Sequence, residues 1–258
     1  MPESFLIPSG MPSLALLGPV VAIVAFSAIF RGFTGFGFAI IAVPLLSLAL
    51  PPLLAVTLSA GLQLLGGLMD VRSAAQQCHW SSVRWLAVGA LFASPLGTFL
   101  LAWMPPDAAR LALAGACGAA VLALAAGIGF RSLPGRASTA AAGAMAGLFN
   151  GLAAMPGPPV LAYYLASPLS TVQVRASLLV FFLFSAVLSF GSLAVIGAVG
   201  MQELLMVLAG MPLMLAGSRI GAALFRWAGG AHRGISLATL AVVAVVTAAR
   251  GLSGLFGG

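Results

Sequence analysis

Residues 30–46 read FRGFTGFGFAIIAVPLL. An apolar run ends at Phe30, is interrupted by Arg31 and by glycines at 32, 35 and 37, and resumes at Phe38. Helix breakers and a full charge are both expensive in hydrocarbon, so an interruption of this kind within a membrane-spanning run marks a working site.

The rest of the chain supplies the membrane. Of 258 residues, 62% are hydrophobic and only 6% charged, and the mean hydropathy is +1.17. A soluble domain carries about 25% charged residues. Apolar stretches of about 17–27 residues match the thickness of a bilayer core, which predicts a polytopic α-helical membrane protein. All eleven basic residues are arginine, and they are scattered at segment ends. The net charge of +7 therefore reads as topology rather than as a nucleic-acid surface. The N-terminus MPESFLIPSG has no basic n-region and no small-residue cleavage site, so no removable signal peptide is expected. Cys78 and Cys117 are too few for a disulfide framework and read as structural thiols.

Breakers, charges and turn residues place helices near 14–30, 38–50, 53–69, 83–103 and 109–130. After the polar link RSLPGRAS (131–138), a second set falls near 138–152, 158–166, 173–198, 204–226 and 235–255. The two sets echo each other. Phe30-Arg31-Gly32 matches Phe149-Asn150-Gly151, and each is followed by a Gly/Pro-rich break. Farther on, SPLGTFLLAWMPPDAAR matches MPLMLAGSRIGAALFRWAGGAHR, and the offset between partners drifts from 119 to about 124.

Each set starts with a broken pair, which returns the chain to its starting side, and then crosses three times. The odd number of crossings inverts the second half. Arg72, Arg84, Arg131, Arg136, Arg175, Arg226 and Arg233 fall on one side, and only Arg110 and Arg250 on the other. The expected architecture is all-α, with two inverted repeats, each a broken or re-entrant pair followed by three transmembrane helices. The repeats are 1–130 and 139–258, joined by a cytoplasmic linker at 131–138, with both termini outside a bacterial inner membrane.

Residues 158–166 span about 14 Å as a helix, half the hydrocarbon core, and so read as re-entrant. The first pair, 14–30 and 38–50, at about 20–25 Å per arm, fits either a re-entrant pair or two short spans. The resumed segments start at Phe38 and near Pro158, which points two helix N-termini inward. A helix N-terminus offers unpaired N–H groups and about half a positive charge, a seat for an anion. Arg31 beside it adds a fixed charge and an oxyanion-matching fork, although at the end of a full span it would snorkel to water. The spacing of Gly143, Gly147 and Gly151, like that of Gly217 and Gly221, reads as close helix packing.

The stretches GFTGFGFAIIAVPLL and GLFNGLAAMPGPPVLAYYL resemble the two diagnostic stretches of the TauE/SafE sulfite exporter family, a Gly-rich run ending in VPLL and a GPP run ending in tyrosine. Ala153-Ala154-Met155 departs from the Gly-rich or Ser-containing segment usual there. The resemblance implies a duplicated transporter for small sulfur-containing anions such as sulfite, sulfoacetate or related sulfonates. Carried onto this chain, the substrate-binding candidates are Arg31, Gly32, Thr34, Gly35, Phe36, Gly37 and Phe38. Opposite them stand Asn150, Gly151, Pro156, Gly157, Pro158 and Tyr163, the tyrosine equally readable as an interfacial anchor. Gln63, mid-helix, and Arg219, about two turns inside its helix end, complete the set.

Asp70, Asp107, Glu3 and Glu203 all fall at segment ends or in loops, so no carboxylate is expected at bilayer centre to relay protons or hold sodium. Efflux driven by an inside-negative potential needs neither. The rival readings are an anion channel and an ion-coupled importer of a small organic anion. No HExxH, no GxSxG and no paired deep carboxylate is present, so no catalytic residue, metal or cofactor is expected. The expected partners are the anion and the lipid bilayer, with no nucleic acid. A homodimer is left open.

Overall fold

The computed structural model describes residues 14–34, 37–126, 134–165 and 167–228. Nine helices and no strand occur among them: α1 (Leu14–Thr34), α2 (Phe38–Ala49), α3 (Pro52–Ala74), α4 (Trp80–Trp103), α5 (Pro106–Ala126), α6 (Arg136–Ala153), α7 (Gly157–Leu165), α8 (Thr171–Val195) and α9 (Met201–Ala228). The helix expected near 235–255 lies outside the described residues. So do residues 131–133 of the expected linker, while α6 already begins within that linker at Arg136.

Among the described residues four segments are long and apolar enough to cross a bilayer: Pro52–Met69, Trp80–Trp103, Val172–Val195 and Met201–Leu224. Leu17–Phe33 and Phe38–Ala49 are shorter apolar helices. Large apolar side chains such as Phe92, Trp103 and Leu122 face outward. That pattern is costly in water and ordinary in lipid. The protein is a multi-pass membrane protein.

Glycines set how closely the helices approach. A methyl group on Gly143 would strike the backbone of Leu86, one on Gly147 that of Ala90, and one on Gly151 that of Ser94, so α6 lies against α4 with backbones nearly touching. Gly32 meets the backbone of Ser218, and Gly221 that of Ile29, in the same manner between α1 and α9. Both pairs run parallel, since residue numbers rise together along each contact. Along α3 and α8 they run oppositely, with Gly67 beside Leu183 and Gly61 beside Phe190.

Three helix boundaries recur at one interval. α2 begins at Phe38 and α7 at Gly157, 119 residues later; α3 begins at Pro52 and α8 at Thr171, again 119 later. α1 ends at Thr34 and α6 at Ala153 with the same separation. Packing is reciprocal as well: α1 packs on α9 while α6 packs on α4, and α3 meets α9 while α8 meets α4. Even the contact details carry over. Gly221 approaches Ile29, Gly32 and Phe33, and Gly97 approaches Leu148, Gly151 and Leu152.

The helix ends sort by charge. The turn after α3 leads directly into α4, and the backbone N–H of His79 there donates to Ser177 Oγ of α8 at 2.9 Å, tying the start of α8 to the same end. α6 starts beside α4, and α9 runs alongside α3, with Gly210 on Leu62 and Gly66 on Met214. Arg72, Arg84, Arg136, Arg175 and Arg226 thus gather at one end of the bundle, with Arg110 at the other. At that far end Arg110 pairs with Asp107 at 2.7 Å and donates to the carbonyl of Ser47, pinning the end of α2 to α5.

Candidate functional site

Two helix breaks meet inside the bundle. Helix α1 does not stop at Phe30: it runs one turn farther, to Thr34, because Gly32 is pressed against the α9 backbone and packing there outweighs its poor helix propensity. Arg31 therefore sits in the last turn of α1, where the negative end of the helix dipole favours a cation. Gly37 then turns the chain with φ 89°, a left-handed conformation that glycine takes without strain, and α2 starts at Phe38. In the second break α6 ends at Ala153 and the turn is made by Ala154, at φ 51° and ψ 29°. An alanine in that region is strained by about 1–2 kcal/mol, so its surroundings must hold it. The side-chain nitrogen of Gln63, from α3, does so by donating to the Ala154 carbonyl at 3.0 Å.

Both breaks lie well within the span. Ser94, against which Gly151 packs, is about 21 Å along an α4 of about 36 Å. Ser218, against which Gly32 packs, is about 26 Å along α9. Irregular backbone at that depth survives only within protein or beside a cavity.

A cavity of ≈ 40 Å³ opens where the breaks converge. Its walls include Arg31, Gly37 and Phe38 from the first break and Ala154, Pro156 and Gly157 from the second. Gln63 and Gly67 of α3 and Leu179, Phe182 and Leu183 of α8 close it. At about 10–15 Å³ per water it holds about three water molecules, a volume suited to a small ion. Its polar groups are the Arg31 guanidinium, the Gln63 amide and the first backbone amides of α2. The start of α7 is poorer in donors, because Pro158 and Pro159 have no N–H. The guanidinium is steadied by α9, Arg31 Nη1 donating to Ser218 Oγ at 3.3 Å.

Of the residues expected from the sequence, the structure gathers Arg31, Gly37, Phe38, Gln63, Pro156 and Gly157 around this space. It places others elsewhere. Gly32 and Gly151 are spacers between helix backbones. Asn150 is buried beside α4 and α8, its side-chain nitrogen donating to Ser94 Oγ at 2.9 Å and to the Ser185 carbonyl at 2.7 Å. Tyr163 accepts from Thr139 at the arginine-rich end of the bundle, and Arg219 is exposed on the outer face of α9. Gly35 and Phe36 lie outside the described residues, as do the side chains of Thr34 and Pro158.

Ser218, Met155, Phe182 and the leucines of α8 were not foreseen from the sequence. Phe182 had a signal: it stands 119 residues after Gln63, the interval that separates the two halves. Ser218 stands 124 residues after Ser94, as Gly221 does after Gly97, and it reaches Arg31 through the glycine-tight crossing of α1 and α9.

The family model for the sulfite exporter TauE/SafE matches residues 20–249, which takes in both breaks and every described helix from α2 to α9. The chain belongs to the TauE/SafE family. No curated protein and no solved structure matches it. TauE/SafE proteins are membrane transporters of sulfur-containing anions, which agrees with a small cavity beside an arginine and a helix start. Among the described residues there is no group of three or more His, Cys, Asp or Glu side chains able to hold a metal.

Proposed function

We propose that this TauE/SafE protein exports a small sulfur-containing anion, of the class of sulfite, sulfoacetate and related sulfonates, across a bacterial inner membrane, driven by the membrane potential. The observation that carries this reading is the cavity itself, where Arg31, the start of α2 and the second break converge. The negative charge of the solute offsets both the guanidinium and the positive end of α2.

The two halves are read as inverted repeats. The 119-residue recurrence of helix boundaries and the exchange of partners between α1·α9 and α4·α6 support this. A broken pair that returns the chain to its starting side, followed by three crossings, makes the second copy face the opposite way. The arginine-rich end is read as cytoplasmic and both termini as outside. Access then alternates by movement of one half against the other around a fixed central site.

No acidic residue is among the described residues lining the cavity. Export needs none: an inside-negative potential drives an anion outward by about 2.3 kcal/mol per charge per 100 mV. Efflux of a sulfonate from proteoliposomes is therefore expected to accelerate under an imposed inside-negative diffusion potential. It is expected to be indifferent to a pH gradient of equivalent size. Efflux that follows the pH gradient instead would overturn the mechanism.

A further inference from the structure

The cavity is chemically one-sided, and the sidedness follows the two halves. Arg31, Gln63 and the opening amides of α2 all come from the first half. The positions 119 residues later are Asn150 and Phe182. Asn150 is turned away and committed to Ser94 and Ser185, and Phe182 faces the cavity with a ring where Gln63 presents an amide. Leu179 and Leu183 extend the same apolar wall, and Arg31 is the single cation among the described lining residues.

We infer that the transported anion carries one charge and a short apolar tail, in the manner of a one- or two-carbon alkanesulfonate, and that Phe182 receives the tail. This rests on the export of sulfur-containing anions proposed above and narrows it. The head group lies against Arg31 and the α2 start. The far end then meets hydrocarbon, which favours a methyl or ethyl group. A solute charged at both ends would press its second charge against Phe182, Leu179 and Leu183, where no described cation answers it and its hydration is lost. The volume agrees: about three waters' worth of space suits a small sulfonate and leaves little room for a second hydrated group.

The test uses the full chain in proteoliposomes and four probes at one potential. Methanesulfonate and ethanesulfonate carry one charge; sulfoacetate and ethane-1,2-disulfonate carry two. The expected result is a kcat/KM for the singly charged pair about tenfold or more above that of the doubly charged pair, the scale on which a pocket rejects an unmatched group. Phe182→Gln, which puts a hydrogen-bonding amide in the wall, is expected to bring the ratio toward one, and Phe182→Leu to preserve it. Doubly charged probes that move as fast as or faster than the others in the unsubstituted protein would overturn the inference and leave export standing. The wild-type ratio decides even where Phe182→Gln fails to fold. Sulfite, run as a fifth solute, separates the two readings: sulfite efflux with movement of none of the four would overturn this inference and leave export standing, and movement of none of the five would remove both.

Discussion

The break between α1 and α2 and the break between α6 and α7 occupy matching places, yet they are built by opposite means. The first turns on a glycine at φ 89°, leaves every backbone N–H of the α2 start in place, and carries an arginine into the cavity. The second turns on a strained alanine, begins its helix with Gly157-Pro158-Pro159, and carries an asparagine that faces away. Under the inverted-repeat reading proposed above, the two halves have thus divided the labour. One side presents charge and donors; the other has its turn braced from both halves, by Gln63 and Ser94 of the first and by Ser185 and Ser189 of the second. A pseudo-symmetric scaffold does not require a symmetric site, and here the polarity of the site comes from one half.

Exchange of the paired residues Arg31 and Asn150 should break this comparison most visibly. Arg31→Gln removes the cavity's described cation, and loss of a charge-assisted contact of this kind costs about 2–5 kcal/mol. Efflux is expected to fall about 30-fold or more with the fold intact. Asn150→Ala leaves Ser94 Oγ and the Ser185 carbonyl without their donor inside the bundle, so the loss appears as stability, about 1–2 kcal/mol. Its residual efflux should track the amount of folded protein. Flux and thermal unfolding of both variants, measured side by side, decide the matter. Equal flux losses at equal stability would mean that both halves contact the anion.

A smaller and more local contrast lies in the turns. Gly37→Ala forces a side chain into φ 89° and places a methyl group 3.1 Å from the Phe30 ring, so a loss of about 1–2 kcal/mol is expected. Ala154→Gly runs the other way. It deletes a fully buried methyl group, at about 0.8 kcal/mol, and adds backbone freedom, at about 0.5–1 kcal/mol, but it releases about 1–2 kcal/mol of left-handed strain. The net change should lie near zero, whereas Ala153→Gly, equally buried but helical, should lose about 1.5 kcal/mol. A denaturation series on the three variants measures this. Ala154→Gly as damaging as Ala153→Gly would show that the strain at 154 is not real.

Much of the architecture was legible in the sequence because hydrophobic length and breakers act locally. Phe38, Pro52 and Thr171 open helices within a few residues of where apolar patterning places them. The convergence of the breaks was legible too, through glycines and prolines that have no other reason to sit at such depth. What stayed hidden depends on which helix lies beside which. Asn150 reads as a lining residue until α8 is seen to supply Ser185, and Gly32 reads as part of the site until Ser218 is seen against it. Arg219 sits in an apolar segment, yet the face of α9 that it occupies points outward, and no periodicity in so uniformly apolar a helix reveals which face that is.

The least effect, and the most direct check on orientation, comes from Cys78. It lies in the turn between α3 and α4, at the end of the bundle that holds Arg72, Arg84, Arg136 and Arg175, and it is a free, half-buried thiol. If that end faces the cytoplasm, a membrane-impermeant maleimide should label Cys78 in inside-out vesicles and spare it in intact cells, in a Cys117→Ser background. The rate has its own signature. Burial pushes the Cys78 thiol up from its ordinary value, so less of the reactive thiolate is present near neutral pH than for an exposed cysteine. Labelling should therefore be slow at pH 7 and should still be climbing at pH values where an exposed thiol has levelled off. Labelling from outside intact cells would reverse the proposed orientation. It would place the arginine-rich end outside, against the positive-inside rule, and turn the expected direction of α1 and α6 through the membrane, while leaving the cavity and its one-sided chemistry unchanged.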